Sequence, residues 1–299
     1  MVKDFNDIVE NVKGMKKKRI AVAMAQDTDA ISALNHAVHA GLAEGILVGD
    51  QKQIESKAKT ADVRLDRFEI IHVQGEKEAT AKAVELVRTG NADTLMKGKC
   101  STSIILKAVL DKEIGLRAGQ LLSHLGVFEV ATYHKLIFMS DAAMNIYPNL
   151  QEKVAIAENA IDAAHKVGIE KPKVALITAI EKVNPQAMPC TVDAAVIAKM
   201  GNRGQIKNAL IDGPLAVDNA LNKHSCQVKG ISSDVCGDAD ILIMPNIEAG
   251  NVFYKSMTYI AQAKTAGIIC GARAPIILPS RADSDETKFL SIALALFIS

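Results

Sequence analysis

The sequence of 299 residues has no tryptophan, and aromatic residues make up only 4% of it. That scarcity argues against a base-stacking platform for single-stranded nucleic acid. The formal net charge is +1, so no global field draws nucleic acid or an anionic membrane. The basic run Lys16-Lys17-Lys18-Arg19 is short, precedes an apolar stretch and reads as a solvated flank. Long hydrophobic runs are missing too. The most apolar stretch, residues 289–298, is too short to span a bilayer. Met1-Val2-Lys3-Asp4-Phe5-Asn6-Asp7 does not read as a signal peptide. The five cysteines (Cys100, Cys190, Cys226, Cys236, Cys270) are scattered and form no C-x-x-C. They are expected to be reduced thiols of a cytoplasmic protein. Neither G-x-x-x-x-G-K-[ST] nor G-x-G-x-x-G after a strand occurs, so nucleotide-dependent phosphoryl transfer and hydride transfer lack their motifs. G-x-S-x-G is absent as well. His36 and His39 share a helix face and Asp238-Ala239-Asp240 is a D-x-D, but neither has a full ligand set, so no metal is expected.

What is present is ample core material: hydrophobic residues are 49% and charged residues 23%. Continuous apolar runs alternate with amphipathic ones. Strands are expected at 19–25, 45–49, 68–73 and 93–97, with helices after Asp27 and over 76–88. This βαβα rhythm predicts a mostly parallel sheet covered on both faces. Around Gly115 the rhythm breaks. Residues 120–130 and 135–140 read as an antiparallel pair or as a chain crossing between domains, and 149–167 as a long helix. Alternation then resumes, with strands at 173–178, 205–211, 241–245 and 267–270 and helices at 191–200, 214–226 and 250–264. A last strand and helix close the chain.

Three predicted strand-to-helix junctions carry chemistry. In Pro275–Lys288, β-formers end at a proline, and Ser280, Arg281 and the acids Asp283, Asp285 and Glu286 follow before a helix. Helix N–H groups at such a junction favour an anion. A capped helix explains the acids; it does not explain a guanidinium at the positive end of the dipole. Met96–Ser103 is the second junction. Gly98 allows close backbone approach, Ser101, Thr102 and Ser103 supply hydroxyls, and Lys97 and Lys99 supply charge. Anion cradle and plain N-cap are both open readings there. At the third, Asn246, Glu248, Asn251 and Lys255 cluster, and the last two share a helix face.

Several blocks taken together carry a resemblance. Ser140–Asn149, Asp212–Ala220, Gly237–Lys255 and Ser280–Lys288 are similar, in order, to blocks of the phosphate acetyl/butyryltransferase family. Ser123–Glu129 and Ser280-Arg281-Ala282-Asp283-Ser284 resemble its butyryl branch more closely. The resemblance implies reversible acyl transfer between CoA and phosphate: butyryl-CoA and phosphate give butyryl phosphate and CoA. It implies an α/β, two-domain, isocitrate/isopropylmalate-dehydrogenase-like fold with a cleft between the domains. The first domain would be 1–126 plus 277–299, the second 127–276. Its members are usually homo-oligomers, so a homodimer or higher homo-oligomer is implied. Acyl-CoA, phosphate and acyl phosphate are the implied partners, with no cofactor, nucleic acid or membrane. Within it, Arg281 would hold the phosphoryl group and Ser280 would donate to the thioester oxygen or to the attacking group. The acetyl branch has an acid seven residues beyond that serine; here the position is Thr287, and Asp283 is the preferred base, with Asp285 the alternative. Lys107 stands where the acetyl branch has an arginine. Lys97, Gly98, Thr102, Lys107, Asn251 and Lys255 are the expected substrate-binding residues. The acetyl branch and a non-catalytic acyl-CoA sensor are the rival readings.

Overall fold

The computed structural model describes residues 2–119, 121–280 and 282–299. They divide into two α/β units. One takes Phe5–Gln120 with Ala266–Ser299, the other Leu121–Thr265 with residues 2–4. The first stretch contains α1 (Phe5–Gly14), β1 (Lys18–Ala23), α2 (Thr28–His39), β2 (Ala43–Gly49), α3 (Gln51–Thr60), β3 (Phe68–His72), α4 (Glu76–Arg88), β4 (Thr94–Lys97) and α5 (Thr102–Val109). Next come β5 (Ser123–Glu129), β6 (Ile137–Ser140), α6 (Leu150–Lys166), β7 (Lys173–Ile177), α7 (Cys190–Asn202), β8 (Leu210–Leu215), α8 (Val217–Leu221), α9 (Lys223–Val228), β9 (Ile241–Ile243) and α10 (Ile247–Lys255). A π-helical turn, Ser256–Ile260, extends α10; β10 (Lys264–Cys270), β11 (Ile276–Ile277) and α11 (Asp285–Ile298) close the chain.

In the first unit the strand order is β3-β2-β1-β4-β11-β10, parallel except for β10. β1, β2 and β4 are nearly continuous apolar runs because helices cover both their faces. Asp27 caps α2 by accepting from Ala30 N, and Ile31, Leu34 and Ala37 bury one face of that helix. β11 is shorter than the sequence suggests. Pro275 and Pro279 flank it and lack the N–H that a ladder needs, so only Ile276 and Ile277 pair. α11 begins at a Ser284 cap and packs on α1 and α2. His36 is taken up there, its ring stacked on Phe289 at 4.4 Å.

In the second unit the order is β5-β6-β9-β7-β8, with β5 antiparallel to β6 and the others parallel. The antiparallel pair is one of the two arrangements read from the sequence, and α6 starts after Asn149, which forms a full capping box with Glu152. Phe128 packs edge-on against Phe253 and Tyr254 in the core of this unit. Three expectations fail here. Residues 205–209 are not strand; β8 starts at Leu210 and runs through Asp212-Gly213-Pro214. It can do so because it is an edge strand, which tolerates proline. A Cβ on Gly213 would also sit 2.6 Å from Leu176 Cβ, so glycine is needed for β7 and β8 to approach. The helix expected over 214–226 is therefore two short ones, α8 and α9. The helix expected over 250–264 instead starts at Ile247 and gives way to the π turn after Lys255.

The expectation of reduced thiols fails at Cys226 and Cys236, which form a disulfide. Gly237, at φ 74°, follows the fold-back that brings their Cα atoms to 6.2 Å. Cys100, Cys190 and Cys270 are free thiols. Among the described residues no helix is long and apolar enough to cross a membrane.

Candidate active site

In the first unit the chain runs outward from β1 through β2 to β3, then returns to β4 on the other side of β1. Such a reversal leaves a crevice beyond the carboxyl ends of the strands, where α/β sheets bind ligands. β1, β4 and β11 are adjacent and parallel, so the loops after them meet at that edge. They bring Asp27, Asp29, Lys97, Gly98, Lys99 and Ser280 around a half-open pocket of about 50 Å³, and Lys288 reaches it from α11.

Gly98 is what lets the β4 loop lie against β1. Its N–H donates to Ala23 O at 2.9 Å and Lys99 N donates to Met24 O at 2.8 Å. A Cβ on Gly98 would fall onto the carbonyls of Ala23 and Met24. The Lys97 ammonium donates to Gly98 O at 3.2 Å and Cys100 O at 3.3 Å, bracing the loop it belongs to. Lys99 is exposed. Burial pushes the Cys100 thiol above its ordinary range, so it is not poised as a nucleophile.

After β11, Asp283 folds back on Ser280: its carboxylate accepts Ser280 N at 2.7 Å. The Ser280 hydroxyl accepts Ala282 N at 3.3 Å. These bonds present an exposed serine hydroxyl at the pocket with a carboxylate tied to the same turn. Thr287 is buried, and its hydroxyl accepts from Ser284 Oγ at 3.0 Å. It serves the helix cap. Arg281 lies outside the described residues.

The expected site residues are therefore distributed as follows. Lys97, Gly98 and Ser280 line one pocket, and Asp283 holds its serine loop. Thr102 opens α5, which Ser101 caps; Lys107 lies exposed in the last turn of the same helix, where a cation suits the dipole. Neither lines the pocket. Asn251 and Lys255 belong to the second unit. The Asn251 amide donates to Ala142 O at 3.1 Å, bracing the Ser140–Asn149 block, and Lys255 Nζ lies 5.9 Å from the centroid of the Tyr259 ring. That block is further fixed by Asp141, whose carboxylate accepts from the backbones of His124, Ala143 and Met144 and from Asn145 Nδ2. The D-x-D residues are explained as well. Asp238 pairs with Lys173 and Lys135, and Asp240 with Lys135. Among the described residues no group of three or more His, Cys, Asp or Glu is placed to hold a metal.

Three charged lining residues were not expected at the site: Asp27, Asp29 and Lys288. Lysine is normally exposed, so burial at 288 carries no direct sequence signal. The indirect one is a cation in the first turn of a helix, against the dipole.

A second recess, about 430 Å³, opens beyond the ends of β1, β2 and β3 and shares Lys99 with the first. Gln26, Asp50, Gln53 and Glu76 give it an uncharged-amide and carboxylate lining. Gln26 is buried there, and its Oε1 has no hydrogen-bond partner among the described residues.

A family model described as Phosphate acetyl/butaryl transferase matches residues 4–82 and 74–296. The chain belongs to this family. A phosphate butyryltransferase of Clostridium acetobutylicum is 48% identical over 299 residues, covering 100% of this chain and 99% of the relative. A phosphate acetyltransferase of Thermotoga maritima is 42% identical over 96% of this chain and 97% of its own length. Among solved structures, a branched-chain phosphotransacylase from Enterococcus faecalis superposes with a TM-score of 0.84 at 32% identity, covering 94% of this chain and 98% of that one. As a member of the phosphate acetyl/butyryl transferase family, the chain has the two-domain α/β fold of these phosphotransacylases.

Proposed function

We propose that this protein is a phosphate butyryltransferase, moving a short-chain acyl group reversibly between CoA and inorganic phosphate. The observation that carries the reading is the near-full-length identity of 48% to a butyryl-branch relative, supported by a small lysine-lined pocket at the switch point of the sheet. A phosphate oxygen attacks the thioester carbonyl, the C–O bond forms, the C–S bond breaks, and sulfur leaves as thiolate and is then protonated. In this reading Ser280 donates to the developing oxyanion and Arg281 clamps the phosphoryl group. Asp283 takes the thiol proton in the reverse direction. A free thiol titrates near ~8.5, so a modest base suffices. In this reading Lys97, Gly98, Thr102, Lys107, Asn251 and Lys255 serve substrate binding. The amides of the wider recess that shares Lys99 suit the uncharged pantetheine arm of CoA. No resident cofactor is needed for these steps. We further propose a cytoplasmic homodimer or higher homo-oligomer that engages neither nucleic acid nor membrane.

The test is phosphate-dependent CoA release from acetyl-, butyryl- and isobutyryl-CoA. Faster turnover of the four-carbon thioesters supports the butyryl reading. Preference for acetyl-CoA moves the protein to the acetyl branch, and binding without turnover makes it a sensor. Each extra methylene discriminates by only ~1–3 kcal/mol, so acetyl-CoA is expected to be a slow substrate rather than an inert one.

A further inference from the structure

We infer that Lys288 is a phosphate-binding residue of this pocket, with Asp29 as the counter-ion that phosphate displaces. The inference rests on the acyl-transfer reading for its ligand, but not for its geometry. Lys288 has a side chain only 5% exposed, yet its nearest carboxylates are Asp29 at 3.4 Å and Asp285 at 3.8 Å. Asp29 and Asp285 are themselves 61% and 88% exposed. Lys153 shows what full compensation looks like in the same chain: 9% exposed, it meets Asp193 at 2.7 Å. Among the described residues Lys288 meets no carboxylate closer than 3.4 Å, so this largely buried side chain has lost water without gaining a close partner.

The position adds to that imbalance. Lys288 sits in the first turn of α11, where the free N–H groups already make the potential positive. Lys97 and Lys99 line the same pocket. Of its acids, Asp27 is committed to capping α2 through Ala30 N at 3.0 Å. That leaves Asp29 as the acid that faces Lys288. About 50 Å³ of space open to water-sized groups is room for an inorganic oxyanion. Ser280 lines the same space, so an anion held by Lys288 stands next to the proposed reacting hydroxyl. A structural bridge tying α11 to α2 would also use Lys288 and Asp29. It would have no reason to leave the pair at 3.4 Å beside an open pocket, and it makes a different prediction.

The experiment is calorimetric binding of inorganic phosphate to the full chain without acyl-CoA, together with separate KM values for phosphate and butyryl-CoA. Lys288→Met is expected to raise Kd and KM for phosphate by about 10-fold or more, the worth of one charged hydrogen bond. The KM for butyryl-CoA should stay within about twofold, and Lys288→Arg should fall between Met and the parent. Asp29→Asn removes the competing anion and should tighten phosphate binding by roughly threefold or more. If Lys288→Met leaves Kd and KM for phosphate at parent values and only lowers Tm, the residue is a bridge and the inference is overturned. If Lys288→Met does not fold, Asp29→Asn decides: phosphate affinity equal to or weaker than the parent's overturns it. A parent that binds phosphate but releases no CoA sinks the acyl-transfer reading and leaves the Lys288 site standing. A parent that turns over, with a phosphate KM indifferent to residue 288, does the reverse.

Discussion

Thr287 and Asp283 separate two roles that adjoin in sequence. Thr287 is buried and bonded to Ser284, while Asp283 is tied to the serine loop at the pocket. Asp283→Asn keeps an acceptor for Ser280 N and removes the proposed base. It should slow the reaction of acyl phosphate with CoA, and the deficit should shrink as pH rises toward the thiol's own value near ~8.5. A pH profile of kcat/KM checks this; parent-like rates at neutral pH in Asp283→Asn, with Asp285→Asn inactive, would transfer the role to Asp285. Thr287→Val should leave that profile unchanged and cost about 0.5–1.5 kcal/mol of stability through the lost hydroxyl bond from Ser284 Oγ. Gly98→Ala tests the pocket's geometry instead. The added methyl must push the loop away from Ala23 and Met24. Overpacking of this kind costs typically ~1–3 kcal/mol. Displacing Lys97 and Lys99 by an ångström can cost ~10²-fold in rate. Parent-like kcat/KM in that variant would show that the β4 loop takes no part in the chemistry.

At the scale of elements, the amino ends of β7 and β9 are clasped by charge. Asp238 accepts from Lys173 at 2.5 Å and meets Lys135 at 3.2 Å, and Asp240 meets Lys135 at 2.7 Å. Burial opposes ionisation of Asp238, but the Lys173 hydrogen bond and the Lys135 charge outweigh it and hold its carboxyl at about 2, below the ordinary 3.8. A depressed value means the clasp contributes fully above pH 3.8 and is lost as pH falls through about 2. Asp238→Asn should therefore destabilise the protein at neutral pH by roughly 1–2 kcal/mol and flatten the acid limb of its stability curve. Urea unfolding of parent and variant across pH 2–7 measures both; parallel curves would mean the clasp is energetically idle.

Elements with a strong apolar period or a full cap were legible in the sequence. α4 begins and ends where its alternation of Ala79, Ala83, Leu86 and Val87 says it should, and α6 starts at its Asn149 cap. α1 and α3 were not picked out. α3 buries only Ile54 and Ala58, too few for a visible stripe. β8 was misplaced because Gly213 and Pro214 are poor strand formers that only an edge position and a tight approach to Leu176 make suitable. The Cys226–Cys236 bond was invisible because its closure depends on a fold-back, not on a spacing motif.

For the whole molecule, the α/β class was legible from the rhythm of runs, and part of the pocket's lining from the Gly98 and Ser280 junctions. The convergence of Asp29 and Lys288 was not, because it depends on α2 and α11 packing together across the sequence. The same contrast governs electrostatics. A net charge of +1 supplies no long-range field, so under the proposed function anion selection is local, at the pocket lined by Lys97, Lys99 and Lys288. Three consequences follow for the enzyme as a whole. Sulfate, a tetrahedral oxyanion of similar size, should compete with phosphate and leave the KM for butyryl-CoA alone. Sodium chloride should raise the phosphate KM only a few-fold between about 0.05 and 0.5 M, since a partly buried site is screened less than a surface field. EDTA should leave the rate unchanged, because the lysines supply the charge that a metal would otherwise bring. Initial-rate kinetics with varied phosphate settle all three. Sulfate inhibition that competes with butyryl-CoA instead would move the anion site off this pocket. A rate lost to EDTA and restored by a divalent cation would show that lysine charge is not enough.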